Sequence, residues 1–209
     1  MSSYKNIITV LSLLAINLGC ASSQQIPLLK SGVENWNKWR EENTTVMPDL
    51  AGANLAGANL AGANFGLANL AGANLAGTHL AGANFWAAIL RGADLRRADF
   101  RLANLQRASL AGANLAGAHL AEANFERTDF VRADLRGANL AGADLSKVKS
   151  FYKAKLDPRM LSEIRTSWPE KLATIWDDTK KDWVLDDTLL EHIRKPDWPG
   201  WPEGKDQGK

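Results

Sequence analysis

From position 50 to position 145 a large apolar residue, always Leu or Phe, returns every fifth position without an insertion, giving twenty consecutive repeats. Alanine stands two positions before each of these centres, except at Pro48, Thr78 and Thr128. A helix turns about 100° per residue, so a spacing of five points successive centres all round the axis. A strand alternates its faces, so the same spacing puts successive centres on opposite sides. Neither element buries the centres together, and the period overrules alanine's preference for helix. A turn inside every repeat resolves the conflict. The centre and the alanine two before it then point inward, the residue between them points outward, and the next two residues make a corner. Four corners close a square, which predicts a coil of twenty residues in this pattern. Phe65, Phe85 and Phe125 are separated by multiples of twenty and are expected to stack on one interior wall.

The A-(D/N)-L-x-x motif, repeated across residues 48–147, resembles the pentapeptide-repeat family. The flank "YKAKLDPRMLSEI" at 152–164 is similar to the ends of such proteins. The resemblance implies an all-β solenoid, a right-handed quadrilateral parallel β-helix. With twenty repeats, about five coils are expected. Each buried Leu or Phe contributes about 1.5–3 kcal/mol, and stacked coils bury one another's faces where a single coil would not hold its shape. Glycine fills eleven of the twenty second corner positions, but Arg97, Arg107, Glu122 and Arg127 also occupy them. The corner is therefore expected not to demand a glycine conformation.

The flanks read differently. Lys5, the apolar run 7–16 and the small residues of "NLGCASS" at 17–23 have the order of an export signal. Cys20, the only cysteine, is the candidate lipidation site of a bacterial lipoprotein signal; Gly19 fits that pattern and Asn17 departs from it. Plain cleavage after Ala21 or Ser23 is the alternative, as is an uncleaved helix on a cytoplasmic protein. Residues 24–47 read as a linker followed by a short N-terminal helical cap over 31–43, opened by a capping box of Ser31 and Glu34. Residues 148–195 read as a small α/β C-terminal cap. It has a helix from Pro158 through Arg165, a favoured β-hairpin within 171–187, and a last helix capped by Thr188 with Glu191. Residues 196–209 read as an extended tail. Trp168, Trp176 and Trp183 are expected to pack on the solenoid's end, and Trp198 and Trp201 to embrace the tower or a partner.

Chemistry is sparse. The outward position is Asn or Asp in sixteen of twenty repeats, expected to bond neighbouring backbone or one another up the stack. One wall reads Asn59, His79, Asp99, His119, Asn139, a ladder that would suit a metal or a proton. Its outer histidines would lie about 10 Å apart, so a hydrogen-bonded ladder is the favoured reading over a metal-binding one. The third coil gathers Arg91, Arg96, Arg97, Arg101 and Arg107. These reach all four walls, and residues 48–145 hold eight acidic and eight basic side chains, so local ion pairing on a solvated surface is the favoured reading and a belt that grips an anionic partner is the alternative. Trp86 stands at an outward corner beside Leu67 and Ala87, with Ile89 nearby, as a candidate contact site or a place where an end segment packs.

The chain has 209 residues and a formal charge of +2, without the basic excess of a nucleic-acid binder. Its residues offer no catalytic set and call for no cofactor. The expectation is a non-enzymatic scaffold in the cell envelope, exported to the periplasm or a membrane surface. It presents flat walls to a protein partner or to a second copy of itself, with a possible N-terminal membrane tether. The family resemblance implies one alternative, a DNA-mimic-like protein that binds topoisomerases. Charge neutrality and uninterrupted walls speak against it. The second alternative is metal binding by the His79, Asp99, His119 ladder.

Overall fold

The structure, a computed structural model, describes residues 21–177, 182–195 and 197–198. Lys5, the apolar run, Cys20 and Trp201 lie outside the described residues.

The repeat forms the coil that its period predicts. Residue 73–77 shows how five backbone N–H groups find acceptors. Ala73 donates to Leu70 O at 3.0 Å and closes the turn; Asn74 donates back to Ala53 O at 2.9 Å. Leu75 and Gly77 donate forward to Asp94 O and Arg96 O at 2.7 and 2.8 Å. The remaining donor, Ala76 N, is taken by the Asn74 side chain at 3.1 Å. Parallel single-residue bridges join outward positions one coil apart, from Asp49 with Asn69 through His119 with Asn139. A turn in every pentapeptide and a bridge partner twenty residues on make each coil four-cornered.

This geometry explains the outward asparagines. Each Oδ1 accepts the N–H two residues on, and several side chains also bond up the stack: Asn84 to Asn64 and Asn104 to Asn84, both at 3.1 Å. The two threonines that replace inward alanines are fully buried and donate across coils, Thr78 to Leu55 O at 3.0 Å and Thr128 to Leu105 O at 2.7 Å. Inside, Phe65 and Phe85 stack at 5.0 Å, as their spacing predicts. The phenylalanines on neighbouring walls join them, because the interior is narrow: Phe85 meets Phe100 at 5.4 Å and Phe125 meets Phe130 at 5.2 Å.

The corner departs from expectation. Every glycine at the second corner position has a left-handed φ of 65–73°, and so do eight non-glycine residues there, including Arg97, Arg107, Glu122 and Arg127 at 55–59°. The corner does demand that conformation, because only it turns the N–H toward the next coil's carbonyl, as Arg97 N does to Ala116 O at 3.1 Å. The arginines and their like sit there at a steric cost that glycine avoids.

The ends also differ from the sequence reading. Residues 24–30, read as linker, lie in helix α1 (Ala21–Lys30). Gln25 of α1 is buried and accepts from Asp49 N at 2.8 Å. Helix α2 (Val33–Glu42) follows, but its N-cap is Gly32 and no capping box forms, because Ser31 Oγ donates to Leu28 O at the end of α1. From α2, Trp36 Nε1 donates to Asn64 O at 2.9 Å, Asn37 takes Asn64 N and gives to Gly62 O, and Arg40 donates to Val46 O and Gly66 O. Side chains thus stand in for the coil that would otherwise precede the first. Arg40 is buried among neutral acceptors, and desolvation lowers its pKa.

The ladder runs past residue 147. A short 3-10 turn at Leu145–Lys147 admits one extra residue, after which Asp129 bridges Ser150 and Asp134 bridges Lys155. Phe151 continues the core, stacked on Phe130 at 5.4 Å. Then come helix α3 (Pro158–Ser167), α4 (Pro169–Ala173), the antiparallel pair β1 (Thr174–Asp177) and β2 (Asp182–Leu185), and α5 (Asp187–Arg194). The expected hairpin is present. Asp186, not Thr188, caps α5, accepting from Leu189 N at 2.9 Å. Trp168 packs against the core and Trp198 is buried beneath Arg165, 5.8 Å from its guanidinium; the side chains of Trp176 and Trp183 lie outside the described residues. Leu95 is completely buried. Leu95→Asp places a charge without a partner in the core and should lower stability by several kcal/mol, roughly 3 or more, read as a fall in the thermal midpoint; an unchanged melt would refute the inward assignment.

Candidate functional site

The solenoid spends its backbone polarity and its large apolar residues internally, so the chemistry lies on the outward positions and corners. The arginines divide there into two groups. Arg96, Arg101 and Arg136 each stand two residues after an outward aspartate, at the first corner position. Each guanidinium grips that aspartate through two nitrogens: Arg96 to Asp94 at 2.8 and 2.6 Å, Arg101 to Asp99 at 2.8 and 2.7 Å, Arg136 to Asp134 at 2.9 and 2.6 Å. The arginine hydrogen bond holds each of these carboxyls below the usual carboxylate range. Arg91 follows Ile89 rather than an acid, and Arg97, Arg107 and Arg127 occupy second corner positions; none of the four has an ion pair among the described residues. Local ion pairing therefore accounts for Arg96 and Arg101. Arg96 and Arg101 are neutralised in place, and the six expected contact residues, Trp86, Arg91, Arg96, Arg97, Arg101 and Arg107, are spread over all four corners.

The histidine ladder forms in the predicted register: His79 bridges Asp99, which bridges His119. Its central acid is already committed. Asp99 accepts both Arg101 nitrogens and Arg101 N, while His119 makes only the smallest contribution to lowering its pKa. A cation at this rung would have to displace a two-point guanidinium pair.

One corner stands apart from the other three. Its second positions are Leu67, Ala87, Arg107 and Arg127, with φ of 61, 53, 59 and 58°, so four coils in succession carry left-handed residues that are not glycine. Its first positions are Gly66, Trp86, Gln106 and Glu126, where other corners mostly carry alanine or arginine. The adjoining wall reads Asp49, Asn69, Ile89, Ser109, Asp129 and holds both outward positions that are neither Asn, Asp nor His. Leu67 N donates to Trp86 O at 2.8 Å, so these residues are true neighbours. Of the six exposed large apolar residues among the described ones, three are here: Leu67 at 36%, Trp86 at 37% and Ile89 at 42%. A fourth, Met47 at 68%, immediately precedes Pro48, whose carbonyl receives Asn69 N. Sequence reasoning found Leu67, Trp86 and Ile89 but missed Met47 and the run of non-glycine corners. Reading every twentieth position from 47 would have shown both.

Asp129, at the foot of this wall, is half-buried, and desolvation raises its pKa; Val131 N–H, Lys149 and Arg91 pull the other way.

These coils make the molecule a parallel β-solenoid with a decorated corner. Residues 49–146 match pentapeptide repeats, in eight copies, and this part of the chain belongs to the pentapeptide-repeat family, whose members fold as right-handed quadrilateral β-helices. Among solved structures, a pentapeptide repeat protein from the Arabidopsis thaliana thylakoid lumen is 25% identical, with 65% of this chain and 90% of that chain aligned and a TM-score of 0.46. The plasmid-mediated fluoroquinolone resistance protein QnrB1 is 22% identical over 56% of this chain and 64% of QnrB1, with a TM-score of 0.44. Rfr23 of the cyanobacterium Cyanothece 51142 is 29% identical over 58% of this chain and 97% of its own, with a TM-score of 0.34. Comparison with curated proteins finds no match.

The raised pKa of Asp129 has a testable sign. Below the ordinary carboxylate pKa both folded and unfolded chains carry the proton, and the group contributes no difference. Between that value and the raised folded pKa the unfolded chain ionises first, so stability falls across this window and the loss is complete above it, where the folded chain carries a partly desolvated charge. Asp129→Asn keeps the acceptor for Val131 N and removes that charge, so it should raise the thermal midpoint at neutral pH by an amount that vanishes in acid. A midpoint difference that persists unchanged in acid would contradict the burial of this carboxyl.

Proposed function

We propose that this protein is a non-enzymatic scaffold of the cell envelope, a rigid solenoid that meets a protein partner through its outer walls. The carrying observation is the division of labour within the repeat. Backbone donors, Leu and Phe centres and outward asparagines are all engaged in holding coil to coil, which leaves convex walls of fixed spacing and a few added side chains. Such a surface positions a partner; it does not enclose and polarise a substrate. No helix among the described residues is long and apolar enough to cross a membrane.

The envelope placement is supported by Lys5, the apolar run 7–16 and Gly19-Cys20. With α1 beginning at Ala21, a lipid on Cys20 would join the helices that cover the first coil with scarcely any tether between. Fractionation of cells expressing the wild-type chain or Cys20→Ser tests this reading. A lipid anchor is expected to put the wild type with membranes and release the Cys20→Ser chain. A wild type found in the cytoplasm with residues 1–23 still attached would overturn export and leave an intracellular scaffold.

A further inference from the structure

We propose that the corner carrying Leu67, Trp86, Ala87, Arg107 and Arg127, with Met47 and Ile89 beside it, is a membrane-contact edge that seats the solenoid lengthwise on an anionic lipid surface. Three observations converge on it. The first is composition. Met47, Leu67, Trp86 and Ile89 are four of the six exposed large apolar residues among those described; the first three share the N-terminal end of one corner and Ile89 stands on the wall beside it. The second is charge. Further along the same corner stand Arg107 and Arg127, and across the Ile89 wall stands Arg91, none of them in an ion pair among the described residues. Of the arginines on the other corners, those at positions 96, 101 and 136 are each clamped to an aspartate, whereas Arg97 is in no ion pair among the described residues. The one acid on this corner, Glu126, accepts from Gln106 Nε2 at 2.6 Å; on the adjoining wall Asp49 accepts from Asn69 Nδ2 at 3.0 Å, and Asp129 lies within the field of Arg91. The third is strain. Glycine fills eleven of the second corner positions and none on this corner from Leu67 to Arg127, so the chain keeps side chains here against the preference of the backbone.

Shape decides the occupant. A convex edge of a prism wraps no peptide and encloses no small molecule, but a fluid surface can rise to meet it. Apolar side chains with a tryptophan, flanked by cations free to meet phosphate, are the chemistry of an interfacial contact, where partial insertion and attraction to anionic headgroups add. The placement fits the envelope reading above and goes beyond it. It would lay the solenoid on its side and turn the diagonally opposite corner, at 77, 97 and 117, away from the membrane and toward a protein.

The test uses the full-length chain in a Cys20→Ser background, so that no lipid anchor contributes, with phosphatidylcholine vesicles made with or without phosphatidylglycerol. Leu67→Gly, Trp86→Ala and Ile89→Asn together restore the ordinary repeat. The triple variant should therefore melt at or above the parent temperature, and any loss of binding is not a loss of fold. The parent is expected to sediment with the anionic vesicles and to partition at least about tenfold better than the triple variant. Arg107→Gly with Arg127→Gly should reduce binding to anionic vesicles only. Cys20→Ser also removes the sole cysteine, so one environment-sensitive label can be placed at Ala87→Cys or at Ala116→Cys on the opposite corner. The label at 87 should shift on adding anionic vesicles and the label at 116 should not. Equal shifts at both, no shift at 87, or equal partition of parent and triple variant overturns the lipid reading and leaves this corner as a docking edge for protein. Purified chain and vesicles need no export, so these results are independent of whether the cellular fractionation succeeds.

Discussion

The forward hydrogen bond from each centre to the coil above, as from Leu95 N to Asn114 O at 2.7 Å, is the contact on which the remainder depends. It fixes the rung spacing, and with it which side chains meet. Once centre N–H groups point forward, the corner must turn its own N–H the same way, which selects the left-handed conformation at every second corner position. The first corner N–H is then left over, and a short side-chain carbonyl or carboxylate two residues earlier is the group that reaches it. Leu or Phe at the centre, Asn or Asp before it and Gly after the turn are thus consequences of one register rather than separate preferences.

That linkage is why so much of the coil was legible. A period of five excluded helix and strand, and alternation about the centre placed Leu and alanine inside. The failures have a common cause in chain ends and exceptions, where the register no longer dictates. Ser31 and Thr188 both began plausible capping boxes, but a preceding helix claimed the hydroxyl of Ser31 and the neighbouring Asp186 reached the helix first in the other case. The extra residue at Leu145–Lys147 hid the continued coil at Phe151, because a count in fives loses phase after one insertion. Arg97 and Arg107 suggested a permissive corner. A side chain on the surface told nothing of the φ beneath it, and the glycine majority was the better guide.

The candidate contact residues were legible one by one and not as a surface. Arg96 and Arg101 fit the local pairing that the balanced charge implies, since the aspartates two positions before them each hold two guanidinium nitrogens. What separates them from Arg91, at the same corner position, is the identity of one residue, and that distinction was open to reading: Asp94 and Asp99 stand two positions before the first two, Ile89 two positions before the third. The histidine ladder illustrates the converse. Its register was right, yet proximity of His79, Asp99 and His119 says little about ligation when a neighbour already supplies the counter-charge.

The single corner without glycine at its second positions also restricts how such a gene can change length. Losing or duplicating one whole coil upstream or downstream returns every later residue to its former column, so the decorated edge survives as a continuous line. Losing or duplicating a single pentapeptide preserves the core and the hydrogen bonding almost as well, but carries every later side chain a quarter of the way round the prism. Trp86 would then part from Arg107. The fold tolerates changes in steps of one repeat, whereas a function carried on one edge admits them only in steps of four, and the record of insertions and deletions among descendants of this sequence should therefore carry the imprint of its working face.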